Sequence, residues 1–133
     1  MIEFVVSMEN RPGHLAALTE ALAASGVNIE ALTAYGHDGE GTVRLIVSDA
    51  HITRRVLDDA GLQHHELPVL TAVLPHRPGE LARLTRAIAD SGVNIDAIYV
   101  MRANSDGVEF AIALDEPASV LPDLEVLGGA RAG

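Results

Sequence analysis

Two spacings of apolar residues alternate along the first half of the chain, and they predict strands and helices in turn. Residues 2–8 (IEFVVSM) form an apolar run that is too short for a helix and rich in strand formers. Leu15, Leu18 and Leu22 then recur at i, i+3 and i+7, the spacing of one helix face, and Gly26 supplies a left-handed stop. The pattern therefore predicts a strand followed by an amphipathic helix.

Pro12 is expected to be the first residue of this helix, because its missing N–H costs nothing at that position. The rest of the first half follows the order strand, strand, helix, strand. The expected elements are strands over 27–35, 42–47 and 62–67, a helix over 50–60 that Gly61 ends, and a turn over 37–41. The last of these strands runs almost directly into the second half of the chain.

The chain repeats itself after 66 residues. Residues 11–32 (RPGHLAALTEALAASGVNIEAL) align without a gap with residues 77–98 (RPGELARLTRAIADSGVNIDAI), and 15 of the 22 positions are identical. The same offset pairs three later positions: Gly41 with Gly107, Ile46 with Ile112 and Asp49 with Asp115. We interpret the repeat as a duplication with domains over 1–68 and 69–133.

The second copy departs from the first near its end. Pro117 and Pro122 fall where the first copy has its second helix, and Pro122 is expected to shorten that helix to one or two turns. A short last strand is expected over 124–127, and the tail over 128–133 is expected to fray.

Each copy has the order βαββαβ, so the predicted fold class is α+β, with two ferredoxin-like domains in tandem. Such a unit forms a four-stranded antiparallel sheet with both helices on one face. The other face would be bare, and a chain with a mean hydropathy of +0.22 cannot leave all of it in water. We therefore expect domains to pair within or between chains, with a homodimer as the expected assembly.

Composition excludes several function classes. The formal net charge is −10 and aromatic residues make up only 3%, so neither phosphate neutralisation nor base stacking is supported and no nucleic-acid partner is expected. All nine basic residues are arginines and there is no cysteine, which leaves Schiff-base, thiol and iron–sulfur chemistry without a side chain. No apolar run reaches the length of a membrane span and the chain does not open on a secretion leader. We therefore expect no membrane association and a cytoplasmic location.

No metal and no cofactor are expected either. His64 and His65 are adjacent, and neighbouring side chains on a strand point to opposite faces, so one ion cannot take both. The charged pairs 54–55 (Arg-Arg) and 58–59 (Asp-Asp) are interpreted as a solvated helix face.

Two motifs carry a family resemblance. The first copy contains ENRPGHL (9–15) followed by SGVNI (25–29), and the second contains HRPGEL (76–81) followed by SGVNI (91–95). In this topology the motifs resemble the ACT domain family over nearly the whole chain. The resemblance implies a non-catalytic regulatory protein that binds an amino acid or similar small ligand at the seam between paired domains. It also implies a partner, a metabolic enzyme or a regulator, that receives the signal.

The loop is most similar to that of the regulatory domain of bacterial phosphoglycerate dehydrogenase, with departures. The serine-contacting histidine of those domains is replaced by Met8 in the first copy and Leu74 in the second. Their loop asparagine is kept as Asn10 but becomes His76, so the serine-type site is incomplete in both copies and the resemblance leaves the identity of the ligand open. Their strand-two asparagine is kept in both copies, at the positions given below.

The residues themselves also favour an amino-acid site. A turn that enters a helix offers free backbone N–H groups and the positive helix end to a carboxylate. Glycine permits close backbone approach, arginine can clamp a carboxylate, and asparagine can both accept from an ammonium group and donate to a carboxylate. The candidate ligand-binding residues are Asn10, Arg11, Pro12, Gly13, His14, Asn28 and Ile29 in the first copy, and His76, Arg77, Pro78, Gly79, Glu80, Asn94 and Ile95 in the second. We expect both strand-two asparagines, Asn28 and Asn94, to lie near the strand-one end of their own sheet.

Structural interpretations stay open beside this one. The Pro-Gly pair at 12–13 can simply start a helix, Asn28 can complete a turn, and Arg11, Arg77 and His14 can be ordinary surface residues. Two other functions also stay open. One is a structural pairing module without a ligand, and the other is an acylphosphatase-like hydrolase that uses a loop arginine and a strand asparagine. No nucleophile–base pair stands out, so no catalytic residue is assigned.

Overall fold

The structure is a computed structural model that describes residues 1–116 and, through their backbone, residues 130–132. Its elements are β1 (Ile2–Glu9), α1 (His14–Ala24), β2 (Ile29–His37), β3 (Glu40–Val47), α2 (Ala50–Asp59), β4 (Gln63–Leu74), α3 (Glu80–Asp90), β5 (Ile95–Asn104), β6 (Gly107–Leu114) and β7 (Ala130–Ala132). They form two compact units, one over Ile2–Leu67 and one from Pro68 onward, and β4 belongs to both. Within this part of the chain, no helix is long and apolar enough to span a bilayer.

The first unit has the strand order β2-β3-β1-β4. β3 is antiparallel to both of its neighbours, β1 and β2. Phe4, Val6 and Leu45 share one sheet face, and they form the core with Leu22 of α1 and Leu57 of α2. Both helices therefore cover the same face, and the predicted ferredoxin-like α+β fold is confirmed.

The ends of the two helices follow from local chemistry. Asp49 precedes α2, and its carboxylate accepts a hydrogen bond from the N–H of Ile52 at 2.9 Å, which is a standard N-cap. Gly13 precedes α1 with φ at +88°, in the left-handed region that only glycine adopts readily. Because a left-handed residue cannot continue into the turn of a right-handed helix, α1 starts at His14. Pro12 lies in the turn before it, so the prediction that Pro12 is the first helical residue is wrong.

The helix face predicted for α1 is buried only in part. Leu18 and Leu22 are buried, but Leu15 is 38% exposed, and its counterpart Leu81 in α3 is 42% exposed. The first turn of each helix therefore lies beside the preceding loop and contributes little to the core.

Two charged residues of the α2 face that was predicted to be solvated, Arg54 and Asp58, also pair with β4, while Arg55, Asp58 and Asp59 are exposed as predicted. Arg54 donates two hydrogen bonds to the Glu66 carboxylate, at 2.7 and 2.6 Å, and Asp58 lies 2.9 Å from His64 Nε2. The hydrogen bond from Arg54 lowers the pKa of Glu66 and the same bond raises the pKa of Arg54. Among the residues that the structure describes, no three acidic, histidine or cysteine side chains group as metal ligands, and His64 pairs with Asp58 instead.

The sheet face away from the helices is less bare than expected. Val5 and Ile46 point to that face, because they alternate with core residues along their strands, yet they are only 6% and 0% exposed. The expectation of a homodimer is therefore not supported by a bare sheet face.

The second unit repeats the arrangement with a one-residue difference in register. Its strands lie in the order β4-β6-β5, and Leu70 and Ile112 belong to its core. In the first unit Leu32 pairs with Leu45, but Ile98, which lies 66 residues after Leu32, pairs with Ile112, which lies 67 residues after Leu45.

A bulge in β5 takes up this extra residue. The register shifts between Val100 and Arg102, so the offset between the copies changes there from 66 to 67. The sequence alignment that paired Gly41 with Gly107 is therefore wrong by one residue, as are its other two late pairs. The structural counterpart of Gly41 is Val108.

Near the end of the chain, the structure describes one short strand. β7 pairs with β4 through Ala130–Ala132, where a frayed tail was predicted. Backbone hydrogen bonds to an existing strand order this segment. The shortened second helix of the second copy and its last strand over 124–127 lie outside the described residues.

Candidate functional site

The loop between β1 and α1 is held against the β2–β3 turn. Asn10 N–H donates to the carbonyl of Gly39 at 2.8 Å, Arg11 N–H donates to Glu9, and His14 N–H donates to Arg11. These three amides were expected to be free for a ligand, and instead they hold the loop together. In the part of the chain that the structure describes, the amide of Leu15, in the first turn of α1, has no protein acceptor, as is usual at a helix start without a side-chain cap.

A cavity of about 260 Å³ lies between this loop and the ends of β2 and β3. This volume approaches the range of small-molecule sites, which begins at about 300 Å³. Its walls combine charged, polar and apolar side chains with two glycines. The lining residues are Met8, Glu9, Asn10, Arg11, His14, Leu15, Ala34, Tyr35, Gly36, Gly41, Thr42 and Val43.

Two glycines on neighbouring strands make room for the loop. Gly36 and Gly41 are paired in the β2–β3 register. A Cβ on Gly36 would overlap the side-chain amide of Asn10, lying 2.7 Å from its Cγ, and a Cβ on Gly41 would lie 3.2 Å from the carbonyl oxygen of Met8. Neither glycine has a positive φ, so each is needed for space and not for backbone conformation.

These strand residues were missed by the sequence analysis. Gly36 and Gly41 lie symmetrically around the Asp38-Gly39 turn, and a glycine inside a strand often marks a close approach of another group. That signal was present, but the sequence does not show that the approaching group is Asn10.

The charged and ionisable side chains of the loop are partly engaged with one another. Arg11 pairs with Glu9 at 2.8 Å, and both side chains are mostly exposed. Exposed pairs of this kind are weak, so a ligand carboxylate could compete for Arg11. His14 Nδ1 lies 3.0 Å from the carbonyl oxygen of Glu9 and therefore carries the proton. His14 is exposed, in agreement with its interpretation as a surface residue, and its side chain also lines the cavity.

Asn28 lies at the opposite end of its unit from this loop. β1 and β2 both run antiparallel to β3, so they are parallel to each other, and α1 returns the chain to the starting end of the sheet. An 11-residue helix covers roughly 16 Å. The expectation that Asn28 lies near the end of strand one is therefore wrong, because the helical crossover separates the two ends.

The strand-two asparagines have structural contacts of their own. Asn28 exchanges hydrogen bonds with Ser48, its N–H donating to the hydroxyl and its carbonyl accepting from the Ser48 N–H, both at 2.9 Å. Asn94 makes the equivalent contacts with Asp115. Asn28 has no positive φ, so the proposed turn conformation does not explain it.

Neighbouring candidates separate into core and turn residues. Ile29 and Ile95 pack against the cores of their units. Pro12 and Pro78 lie in the turns before α1 and α3. An acylphosphatase-like site would need Arg11 beside a strand asparagine, and the separation of the loop from Asn28 removes that arrangement within the first unit.

The equivalent cavity of the second unit is nearly closed. It has a volume of only about 50 Å³, room for one or two water molecules. At the structural offset of 67 the glycines Gly36 and Gly41 correspond to Ala103 and Val108, and Val43 corresponds to Phe110. Val108 and Phe110 both line the second cavity, so two larger side chains stand where the first unit has Gly41 and Val43.

An ion pair also blocks this second cavity. Arg77 lies 2.8 Å from Glu80, whose side chain is only 11% exposed. His76 takes the place of Asn10, and Gly79 starts α3 with φ at +92°, as Gly13 starts α1. Of the second set of candidates, His76, Arg77 and Glu80 thus line one cavity, which holds almost no space.

The chain is similar to known proteins over nearly its whole length. The ACT domain family matches residues 2–60 and again residues 69–128. Among solved structures, a protein from Bacteroides thetaiotaomicron is 26% identical, with a TM-score of 0.88 over 98% of this chain and 91% of that chain. The ligand-free regulatory subunit of aspartate kinase from Thermus thermophilus is 17% identical, with a TM-score of 0.73 over 95% of this chain and 89% of that one. The corresponding subunit from Thermus flavus is 20% identical, with a TM-score of 0.67 and coverages of 94% and 90%. No curated protein matches the sequence.

Proposed function

The chain belongs to the ACT domain family, and we propose that it is a regulatory protein that binds a free amino acid in the cavity of its first unit. The observation that carries this proposal is the difference between the two cavities, about 260 Å³ against about 50 Å³. One repeat keeps space for a small ligand, and the other has filled the same space with side chains.

The walls of the first cavity suit a zwitterion. Arg11 and the start of α1 supply positive charge and the free N–H of Leu15 for a carboxylate. Asn10 has a side-chain carbonyl, and His14, whose Nδ1 is taken by the carbonyl of Glu9, presents its Nε2 to the cavity side; both are acceptor groups of the kind that an ammonium group needs. Opposite charges on one small ligand would thus meet opposite partners within one cavity.

We propose a homodimer as the form that completes the site. β2 is the terminal strand of the first unit, and its free edge can pair with another strand. In an antiparallel pairing of two copies of β2 about an axis near Thr33, Ile29 of one copy would face His37 of the other. The partner's Asn28 would then lie at the open side of the cavity. The Asn28 of the same chain cannot reach that cavity, because it lies at the opposite end of the unit.

The proposed output is a contact with a separate protein that senses whether the site is filled. Regulatory subunits of aspartate kinase share this fold, which supports an enzyme as the partner. The second unit, whose cavity is closed, is better suited to pairing or to holding that partner. A structural role is therefore proposed for the second unit alone.

The proposal is tested by measuring the melting temperature with each of the twenty amino acids. A ligand that binds only the folded state raises the melting temperature by mass action. Asn10→Ala should remove the increase, and His76→Ala, the matched change in the second unit, should keep it. If no amino acid changes the melting temperature, or if His76→Ala has the same effect as Asn10→Ala, the proposal is wrong.

Mixing two inactive variants tests the shared site. Asn10→Ala and Asn28→Ala chains each lack one side of every site, but a mixed dimer would contain one intact site. An equal mixture that is unfolded and refolded together should therefore recover about a quarter of the binding capacity, from statistical pairing of the chains. A mixture that recovers none would rule out a site built by two chains.

A further inference from the structure

A second cavity adjoins the first one behind Met8 and His14. It has a volume of about 220 Å³, and its lining consists of Met8, His14, Ala17, Leu18 and Leu62. Four of these five side chains are apolar, and His14 is already held through its Nδ1 by the carbonyl of Glu9. Met8 and His14 also line the first cavity, so the two spaces share part of their walls.

We propose that this second cavity receives the side chain of the bound amino acid, and that the ligand is therefore a large aliphatic amino acid such as leucine, isoleucine or methionine. This inference rests on the proposed function, because it assumes that the charged groups of the ligand occupy the first cavity. The side chain would pass between Met8 and His14. Methionine is unbranched and adaptable, so Met8 can move aside at little cost.

The chemistry of the lining excludes other ligand classes. No charged side chain lines the second cavity, and a ligand charge placed there would lose its hydration without gaining a partner. Aspartate, glutamate, lysine and arginine are therefore poor ligands. Glycine and alanine would leave the apolar space unfilled and lose the gain from burying a hydrocarbon chain.

Two positions of this apolar lining carry charged side chains in the second unit. Ala17 of α1 corresponds to Arg83 of α3, and His14 corresponds to Glu80. Arg83 and Glu80 lie 3.4 Å apart as an ion pair. The apolar lining is thus a property of the repeat with the larger first cavity, which agrees with both spaces serving one ligand.

Binding affinities for alanine, leucine and glutamate test the proposal on the intact chain. We expect leucine to bind at least about tenfold more tightly than alanine, since each added methylene in an apolar pocket can contribute that much. Glutamate should bind more weakly than either. Isothermal titration calorimetry measures all three constants directly.

A matched pair of variants shows whether the second cavity causes the preference. Ala17→Leu fills the cavity from α1, and Ala16→Leu adds the same side chain at the adjacent exposed position, outside the lining. Ala17→Leu should lose the preference for leucine over alanine, whereas Ala16→Leu should keep it. Melting curves without ligand check that both variants fold.

The outcomes separate this inference from the function on which it rests. Equal affinity for alanine and leucine, or an Ala17→Leu variant that still prefers leucine, would overturn the inference while the amino-acid site stands. Absence of binding by every amino acid would overturn both.

Discussion

The close packing of Asn10 against Gly36 leads to a prediction about folding stability that does not depend on the identity of the ligand. Gly36 lies inside β2 without a positive φ, so alanine is compatible with its backbone. Replacing such a glycine by alanine should stabilise the fold by about 0.5–1 kcal/mol, because the unfolded chain loses freedom. In this protein, however, the new Cβ would lie 2.7 Å from Asn10 Cγ.

The stabilisation should therefore appear only when the Asn10 side chain is shortened. In the wild-type background Asn10 must leave its position, at a cost of about 0.5–1.5 kcal/mol if it is forced off its rotamer. Gly36→Ala should then be neutral or destabilising. In an Asn10→Ala background the nearest Asn10 atom is Cβ, 3.3 Å away, and a shift of a few tenths of an ångström relieves the contact. We predict a coupling free energy of roughly 0.5–1.5 kcal/mol between the two positions.

Urea unfolding of the wild type, the two single variants and the double variant measures this coupling. With an m-value of about 2 kcal/mol/M, a difference of 1 kcal/mol moves the midpoint by roughly 0.5 M. Gly26→Ala is the control, because Gly26 has φ at +74° and open space around it. It should destabilise the protein equally with and without Asn10. If Gly36→Ala and Asn10→Ala are additive within about 0.3 kcal/mol, the proposed packing in the cavity wall is wrong.

Three further predictions test the fold. Leu22→Ala should cost about 2–5 kcal/mol of stability, because Leu22 is fully buried, whereas Leu15→Ala should cost well under that, and urea unfolding compares them. Asp49→Ala removes the cap of α2 and should cost about 1 kcal/mol, measured as a lower melting temperature. Arg54 lowers the pKa of Glu66 in the folded state, so Glu66→Gln should destabilise the protein at neutral pH. The loss of stability in Glu66→Gln should become smaller as the pH falls from the ordinary pKa of glutamate to the lowered pKa of Glu66. A loss that is constant with pH would contradict the Arg54–Glu66 ion pair.

Several elements of the fold were predicted from local patterns in the sequence. The spacing of Leu18 and Leu22 marks the buried face of α1, and Asp49 marks the start of α2. The agreement of residues 11–32 with 77–98 marks the duplication. Such signals depend on neighbours a few residues apart, and local propensity and periodicity are enough to read them.

The loop residues of the candidate site were also found from sequence, but their geometry was not. Asn10, Arg11 and His14 do line one cavity. Gly36 was missed because its role depends on the side chain of Asn10, which is 26 residues away in sequence and comes close to Gly36 only in the folded protein. Asn28 was assigned to the wrong end of its unit, because the path of a helical crossover was not followed in three dimensions.

The difference between the two repeats was decided by strand register. Sequence alignment gives a constant offset through Gly107 and Ile112, but a single bulge after Val100 moves every later partner by one position. Side chains on a strand alternate between faces, so a shift of one residue changes which side chain lies at each point of a cavity wall. Sequence alone determined that there are two similar domains and the order of the helices and strands over residues 1–116. Only the tertiary structure decided that one of them keeps an open cavity, because open space depends on which distant side chains are brought together.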